Sequence, residues 1–262
     1  MTNGNYTPNW QDVCSKQLQL NDDVHIWKVQ LLKSPSEVAG LYDVLSDDER
    51  KRADRFYFHK DRNSFIVARG TLRNILSYYL SISPGEIEFV YNSYGKPFLR
   101  PTKNRSGLEF NLSHSSDIAI YAISTNRKVG IDIERIRKDF ADMEIAKNFF
   151  SENEIRSLLS LEKEQRIIAF FNCWTRKEAF IKAVGKGLSI PLDSFDVSVE
   201  PDMPAKILRI DNDLSNKNDW TMLSFEPAPH FVSALVVEGF AKNIKWLEWD
   251  EITESSCMTL QR

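Results

Sequence analysis

TNRKVGIDIERI, residues 125–136 of this 262-residue chain, is where two similar halves of the sequence meet. Thr125-Asn126-Arg127-Lys128 is a short polar connector, and 129–134 alternates as a strand does. Upstream of it runs an order of elements that returns downstream. A capping box, Ser46 with Glu49 three residues on, opens a charged helix, and a second box, Ser151 with Glu154, lies 105 positions later. A helix expected over 61–80 has its counterpart over 163–184, and Pro84 leads into a strand over 87–91 as Pro191 does near 195–199. Strands are also expected at 24–31, 108–112, 118–124, 221–225, 231–237 and 244–249. Residues 1–22 read as a poorly ordered leader or a wrap. The spacing predicts an α+β fold of two similar halves, 1–126 and 127–262, with the active site in the cleft between them.

Composition narrows the class. With 42% hydrophobic residues, 16 Phe and 6 Trp, the chain can bury a real core. Lys+Arg 34 against Asp+Glu 37 excludes a polybasic nucleic-acid binder. The cysteines at 14, 173 and 257 form no CxxC pair and fit a reducing compartment. The polar N-terminus is no signal peptide and no apolar run reaches membrane-span length, so a cytoplasmic protein with no membrane partner is expected.

Chemistry concentrates in a few stretches. In 129–136, VGIDIERI, alternation puts Asp132 and Glu134 on one face and Ile131 and Ile133 on the other, while Gly130 permits close backbone approach. Two carboxylates on one face repel unless a cation stands between them, and a hard divalent ion such as Mg²⁺ suits them. A solvated acidic edge explains this stretch equally well. In 174–188, WTRKEAFIKAVGKGL, helical spacing sets Glu178 on the stripe of Ile167, Phe171, Trp174 and Ile181, with Lys182 one turn on. Glu178 is either a third metal-facing carboxylate or half of a surface ion pair.

FNLSHSS, 110–116, lies between two expected strands. Its serines and His114, if protonated, suit a phosphate; a polar turn is the plainer reading. A Ser–His hydrolase fits poorly, since Ser113 and His114 are neighbours and no G-x-S-x-G elbow exists. In the turn YGKPFL, 94–99, Lys96 projects toward an anion or simply decorates a hairpin. Arg62, Arg69 and Arg73 share a helix face, which suits phosphate binding or ordinary helix salt bridges.

Taken in order, GKP at 95–97, FNLSHS at 110–115, VGIDIE at 129–134, FF at 149–150, W-x-x-K-E-A-x-x-K at 174–182, GKGL at 185–188 and PLDSF at 191–195 resemble the 4′-phosphopantetheinyl transferase superfamily in its longer, surfactin-synthetase-activating type. The resemblance covers roughly 45–200. It implies a monomeric intramolecular pseudo-dimer with coenzyme A and Mg²⁺ in the cleft. The reaction would move the phosphopantetheine arm of coenzyme A to a serine of an apo acyl or peptidyl carrier protein, releasing 3′,5′-ADP. By family pattern Asp132, Glu134 and Glu178 surround the metal, and Glu178, Lys182 and Asp132 carry the catalysis. Lys182, Lys96, Ser113 and His114 bind coenzyme A, with an arginine or two among Arg52, Arg55, Arg62 and Arg69. One departure is Glu49, which stands where a family cation would align. Two rivals remain: a Mg²⁺-dependent phosphodiesterase or pyrophosphatase using the same carboxylates, and a non-catalytic carrier-binding protein.

Overall fold

A computed structural model describes residues 6–12, 19–137, 143–201, 203–211 and 216–249. In chain order the elements are β1 Gln11–Asp12, β2 Val24–Gln30, α1 Pro35–Asp43, α2 Asp47–Ala53, α3 His59–Leu80, β3 Phe89–Tyr91, β4 Pro97–Leu99, β5 Leu108–Ser115, β6 Ile118–Thr125 and β7 Val129–Arg135. They continue as α4 Met143–Phe149, α5 Glu152–Ser160, α6 Lys163–Val184, β8 Phe195–Val197, β9 Ile207–Ile210, β10 Trp220–Phe225, β11 Phe231–Glu238 and β12 Ile244–Glu248. A strand, short helices, a helix of 22 residues and four strands thus follow one another twice. The fold is α+β.

Two sheets carry the molecule. One has the order β1-β12-β2-β6-β5 and the other β10-β11-β7. Strand alternation sorts their side chains into layers. Val24, Ile26, Ile120 and Ala122 of the first sheet meet Ile131, Ile133 and Leu235 of the second in an apolar layer between the sheets. Trp27, Val29, Tyr121 and Ile123 turn the other way, onto Ile66, Leu72 and Ile75 of α3. Val232, Ala234 and Val236 likewise meet Phe170, Ala179 and Phe180 of α6. Each long helix covers the outer face of one sheet. β12 pairs in parallel with β2, so the last described strand lies in the sheet of the first half, across a division at 126/127. β1 pairs in turn with β12, and Tyr6 bridges to Phe225 of the other sheet, so the described part of the N-terminal segment is a wrap.

Both long helices end by reversing the backbone, α3 at Ser81 (φ 53°) and α6 at Gly185 (φ 79°), where glycine adopts the left-handed region without cost. The second capping box is complete: Glu154 Nα–H donates to Ser151 Oγ at 3.3 Å and Ser151 Nα–H to Glu154 Oε2 at 2.9 Å. Both box glutamates are buried. Glu154 pairs with Lys177 of α6 at 2.8 Å, and Glu49 pairs with Arg69 and, at 2.6 Å, with Arg73 of α3. One carboxylate per half therefore caps a short helix and ties it to the long one that follows. The α1 helix was not expected from the sequence, although Ser34 and Glu37 form a box of the same kind.

Candidate active site in the seam between the sheets

β5 and β7 are edge strands of different sheets, and side chains join them where a backbone ladder is missing. Asn111 Oδ1 accepts the Ile131 N–H at 2.9 Å, Ser113 Oγ donates to Asp132 Oδ1 at 2.7 Å, and Ser115 Oγ donates to Glu134 Oε2 at 2.9 Å. These three rungs come from alternate residues of one strand. The stretch 110–115 is therefore strand and not a connector; the turn follows at Ser116 (φ 57°). Ser113 is engaged by this seam rather than standing free for a phosphate.

α6 presses on β7 because Gly130 has no side chain. A Cβ there would come within 2.0 Å of Ala179 O and 2.3 Å of Ala183 N. That approach brings Glu178 and Lys182 to Asp132. Lys182 Nζ lies 2.6 Å from Asp132 Oδ1 and donates to Ser113 Oγ at 3.0 Å. Asp132 is buried, and its Oδ2 has no hydrogen-bond partner. Burial, then the Asp132 carboxylate, raises the Glu178 pKa to about 7, with Lys182 opposing and Glu134 adding to the rise. The Glu134 pKa is also raised, by burial and then by Asp132. Asp132, Glu134, Glu178 and Lys182 thus form one electrostatic group.

As they stand, no three of His, Cys, Asp or Glu among the described residues are gathered closely enough to hold a metal ion. The donor set fits one nonetheless. Asp132 Oδ2 is buried and unpartnered, and two neighbouring carboxylates are held toward their neutral forms by burial and by Asp132. A hard divalent cation answers both.

His114 points away from Ser113, as alternation requires. It lines a cleft of about 220 Å³ with Arg52, Arg69, Tyr91, Gly95 and Pro97. Burial and then the Lys182 ammonium lower its pKa, with the Asp132 carboxylate opposing. The arginines separate. Arg52 and Arg69 line the cleft; Arg69 is held by Glu49 and gives Nη2 to Tyr91 Oη at 2.8 Å. Arg62 turns away to Asp54 at 3.0 Å and the Tyr42 ring, and Arg55 is exposed and not among the cleft's lining residues. The departure at Glu49 is thereby explained: the carboxylate organises two arginines of α3.

Lys96 is not aimed at the cleft. Its Nζ donates to the carbonyls of Lys182 at 2.7 Å, Val129 at 3.2 Å and Ala183 at 3.4 Å, and burial lowers its pKa to about 8. The sequence reading missed Asn111 and Tyr91, and it took Ser115 for a phosphate donor rather than a rung to Glu134; the N-x-S-x-S alternation at 111–115 was the available signal for the seam.

Comparison with known proteins follows the same lines. The profile of the 4′-phosphopantetheinyl transferase superfamily matches 128–236, and that of a 4′-phosphopantetheinyl transferase N-terminal region matches 32–126. The chain is 41% identical over 222 residues to 4′-phosphopantetheinyl transferase HetI of Nostoc sp. (strain PCC 7120), spanning 84% of this chain and 90% of that protein. It is 35% identical over 169 residues to 4′-phosphopantetheinyl transferase Sfp of Bacillus subtilis (strain 168), spanning 64% of this chain and 73% of that one. Among solved structures it is similar to a holo-[acyl-carrier-protein] synthase of Thermotoga maritima at a TM-score of 0.34 and 25% identity, over 43% of this chain and 62% of that one. A score that low carries nothing about the arrangement of the sheets.

Proposed function

The chain belongs to the 4′-phosphopantetheinyl transferase superfamily, in its longer type, and on that premise we propose that the seam of β5, β7 and α6 moves the phosphopantetheine arm of coenzyme A onto a serine of an apo acyl or peptidyl carrier protein. The single observation that carries this is the seam's charge pattern: where two sheet edges meet, Lys182 pairs with Asp132, and burial together with Asp132 and Glu134 raises the Glu178 pKa to about 7.

The serine hydroxyl attacks the phosphorus bearing the pantetheine. The bond to the bridging oxygen breaks, the serine proton passes to a base, and 3′,5′-ADP leaves. Glu178, whose pKa burial and the neighbouring carboxylates raise to about 7 before any cation is bound, suits the base. Lys182 lends positive charge to the pyrophosphate oxygens as the leaving phosphate gains charge. Ser113 keeps both Lys182 and Asp132 in place. Asp132, Glu134 and Glu178 would hold Mg²⁺, which when bound supplies charge to offset the repulsion between nucleophile and pyrophosphate. His114, Arg52 and Arg69 line the cleft that would take further phosphate of coenzyme A.

The repeated element order supports reading 1–126 and 127–262 as an intramolecular pseudo-dimer, able to act as a monomer because one chain supplies both sides of the seam. No described helix is long and apolar enough to cross a membrane. The hydrolase reading finds no support among the relatives named above, which are transferases. The test is a panel of apo carriers incubated with coenzyme A and Mg²⁺ and scored by mass shift. A phosphopantetheine-sized gain on at least one carrier is expected; coenzyme A cleavage at the same rate without carrier would overturn the reading.

A further inference from the structure

The β3–β4 hairpin of the first half reaches across the seam to the C-terminus of α6 in the second. A helix leaves its last carbonyls without intrahelical partners, and that end carries partial negative charge. Here the hairpin supplies the donors. Asn92 Nδ2 donates to Gly185 O at 2.7 Å, and Lys96 Nζ donates to Lys182 O at 2.7 Å and Ala183 O at 3.4 Å. The same ammonium holds Val129 O at 3.2 Å, the first residue of β7. Asn92 Oδ1 meanwhile accepts the N–H groups of Tyr94 and Lys96, each at 2.9 Å, and so fixes the turn that presents the lysine. Lys96 Cδ lies 3.2 Å from where a Cβ on Gly185 would sit, so the side chain packs flat on the helix end.

We infer that Lys96 and Asn92 are positioning residues, which fix the backbone of Lys182 against β7 and thereby its ammonium against Asp132, and that Lys96 is not itself a ligand of the coenzyme A phosphates. Three carbonyl oxygens, two of them on the last turn of α6, share the one ammonium. The residue whose backbone it grips most closely is the one whose side chain carries the cation of the site. The hairpin also contributes Tyr91, Gly95 and Pro97 to the cleft. Hairpin, cleft and helix end are therefore joined by direct contacts. This inference rests on the transferase reading above.

The experiment uses the full-length enzyme with coenzyme A, Mg²⁺ and an apo carrier on which the wild type is active. K96M keeps the unbranched stem as far as Cε and removes the ammonium donors. N92D keeps the acceptor that fixes the turn, removes the donor to Gly185, and touches no phosphate on either reading. Both variants are expected to lose about tenfold in kcat while the KM for coenzyme A stays within about twofold. K96R, which can still donate to carbonyls, is expected to recover part of kcat. The combined variant is expected to lose less than the product of the two single losses, because both act through one helix end. A tenfold or larger rise in KM for coenzyme A in K96M with kcat unchanged would make Lys96 a phosphate ligand and overturn the inference. A lower melting temperature with both constants unchanged would reduce the contact to a fold staple and overturn it too. If K96M does not fold, N92D alone decides by the same split. Failure of the transferase reading looks different, since the wild type would then label no carrier.

Discussion

Lys182 Nζ lies 2.6 Å from Asp132 Oδ1 and 3.0 Å from Ser113 Oγ, which itself donates to that carboxylate oxygen at 2.7 Å, so a strand from each sheet and the helix packed on β7 meet at one ammonium. That cation is all that offsets the mutual repulsion acting on Glu178 among its named neighbours. K182M is expected to lower transfer about 100-fold, the scale of losing one preorganised charge donor. Its metal-free melting temperature should fall as the pH rises past neutrality, and Mg²⁺ should restore most of it. Thermal scans at pH 6 and 8, with and without Mg²⁺, check this; no dependence on either would detach Lys182 from the carboxylates.

The raised pKa of Glu178 has a stability consequence of definite sign. Its folded pKa of about 7 lies above the ordinary glutamate value of 4.5, so between them the folded state keeps a proton the unfolded chain has lost. Stability in the absence of metal therefore falls as pH rises through that window. E178Q should flatten that part of the profile and be the more stable protein at pH 8. Urea titrations across pH 4.5–8 in EDTA measure it, and a wild-type profile that rises through the window would contradict it.

His25 gives the opposite slope. It is buried against Tyr79 Oη at 2.7 Å, and burial, then Lys245, presses its pKa to about 4, with Asp23 opposing. Between about 4 and 6.5 the unfolded histidine takes a proton the folded one refuses, so stability is lost as pH falls through that range. H25Q should remove this contribution. An unchanged acid slope in H25Q would assign it elsewhere.

Gly130 sets how near α6 comes to β7. In G130A the new Cβ meets backbone, 2.0 Å from Ala179 O, so no side-chain motion relieves it. A cost of about 3 kcal/mol is expected, at the upper end of overpacking. Transfer should fall as well, because separating the elements parts Lys182 from Asp132. Chemical denaturation with parallel transfer assays tests it, and a variant as stable as wild type would mean the helix can shift without loss.

Glu49 holds two arginines, and removing it strands both. E49A is expected to cost about 3–5 kcal/mol, as breaking a buried ion pair does. A loss under about 1 kcal/mol would show that Arg69 and Arg73 find other partners.

Much of this was legible in the sequence. The boxes at Ser46 and Ser151 mark the repeated halves because a short helix with one capping glutamate is a local event. Asp132, Glu134 and Glu178 could be brought together because strand and helix periods fix their faces once two elements are known to touch. The reading of 110–116 as a turn failed because its polar residues replace a backbone ladder between two edge strands, which a hydrophobic period cannot register. The carbonyl grip of Lys96 was hidden for another reason. Its partners lie 33 to 87 positions away and are carbonyl oxygens, which every residue has and no side-chain pattern announces. The return of β12 to β2 was equally hidden, since a parallel pairing leaves no turn to betray it. The arginines of 52–69 divided by what faces each of them, Asp54 for Arg62 and Glu49 for Arg69, and not by helix face alone.

The most direct measurement is labelling of a susceptible apo carrier by fluorescent coenzyme A with Mg²⁺, comparing wild type with D132A and E178Q after confirming that both variants fold. We expect E178Q to fall by about 10²–10⁴-fold, the range for losing a positioned base, and D132A to lose nearly all transfer. Wild-type-like labelling by either variant would contradict a seam in which these carboxylates carry the reaction.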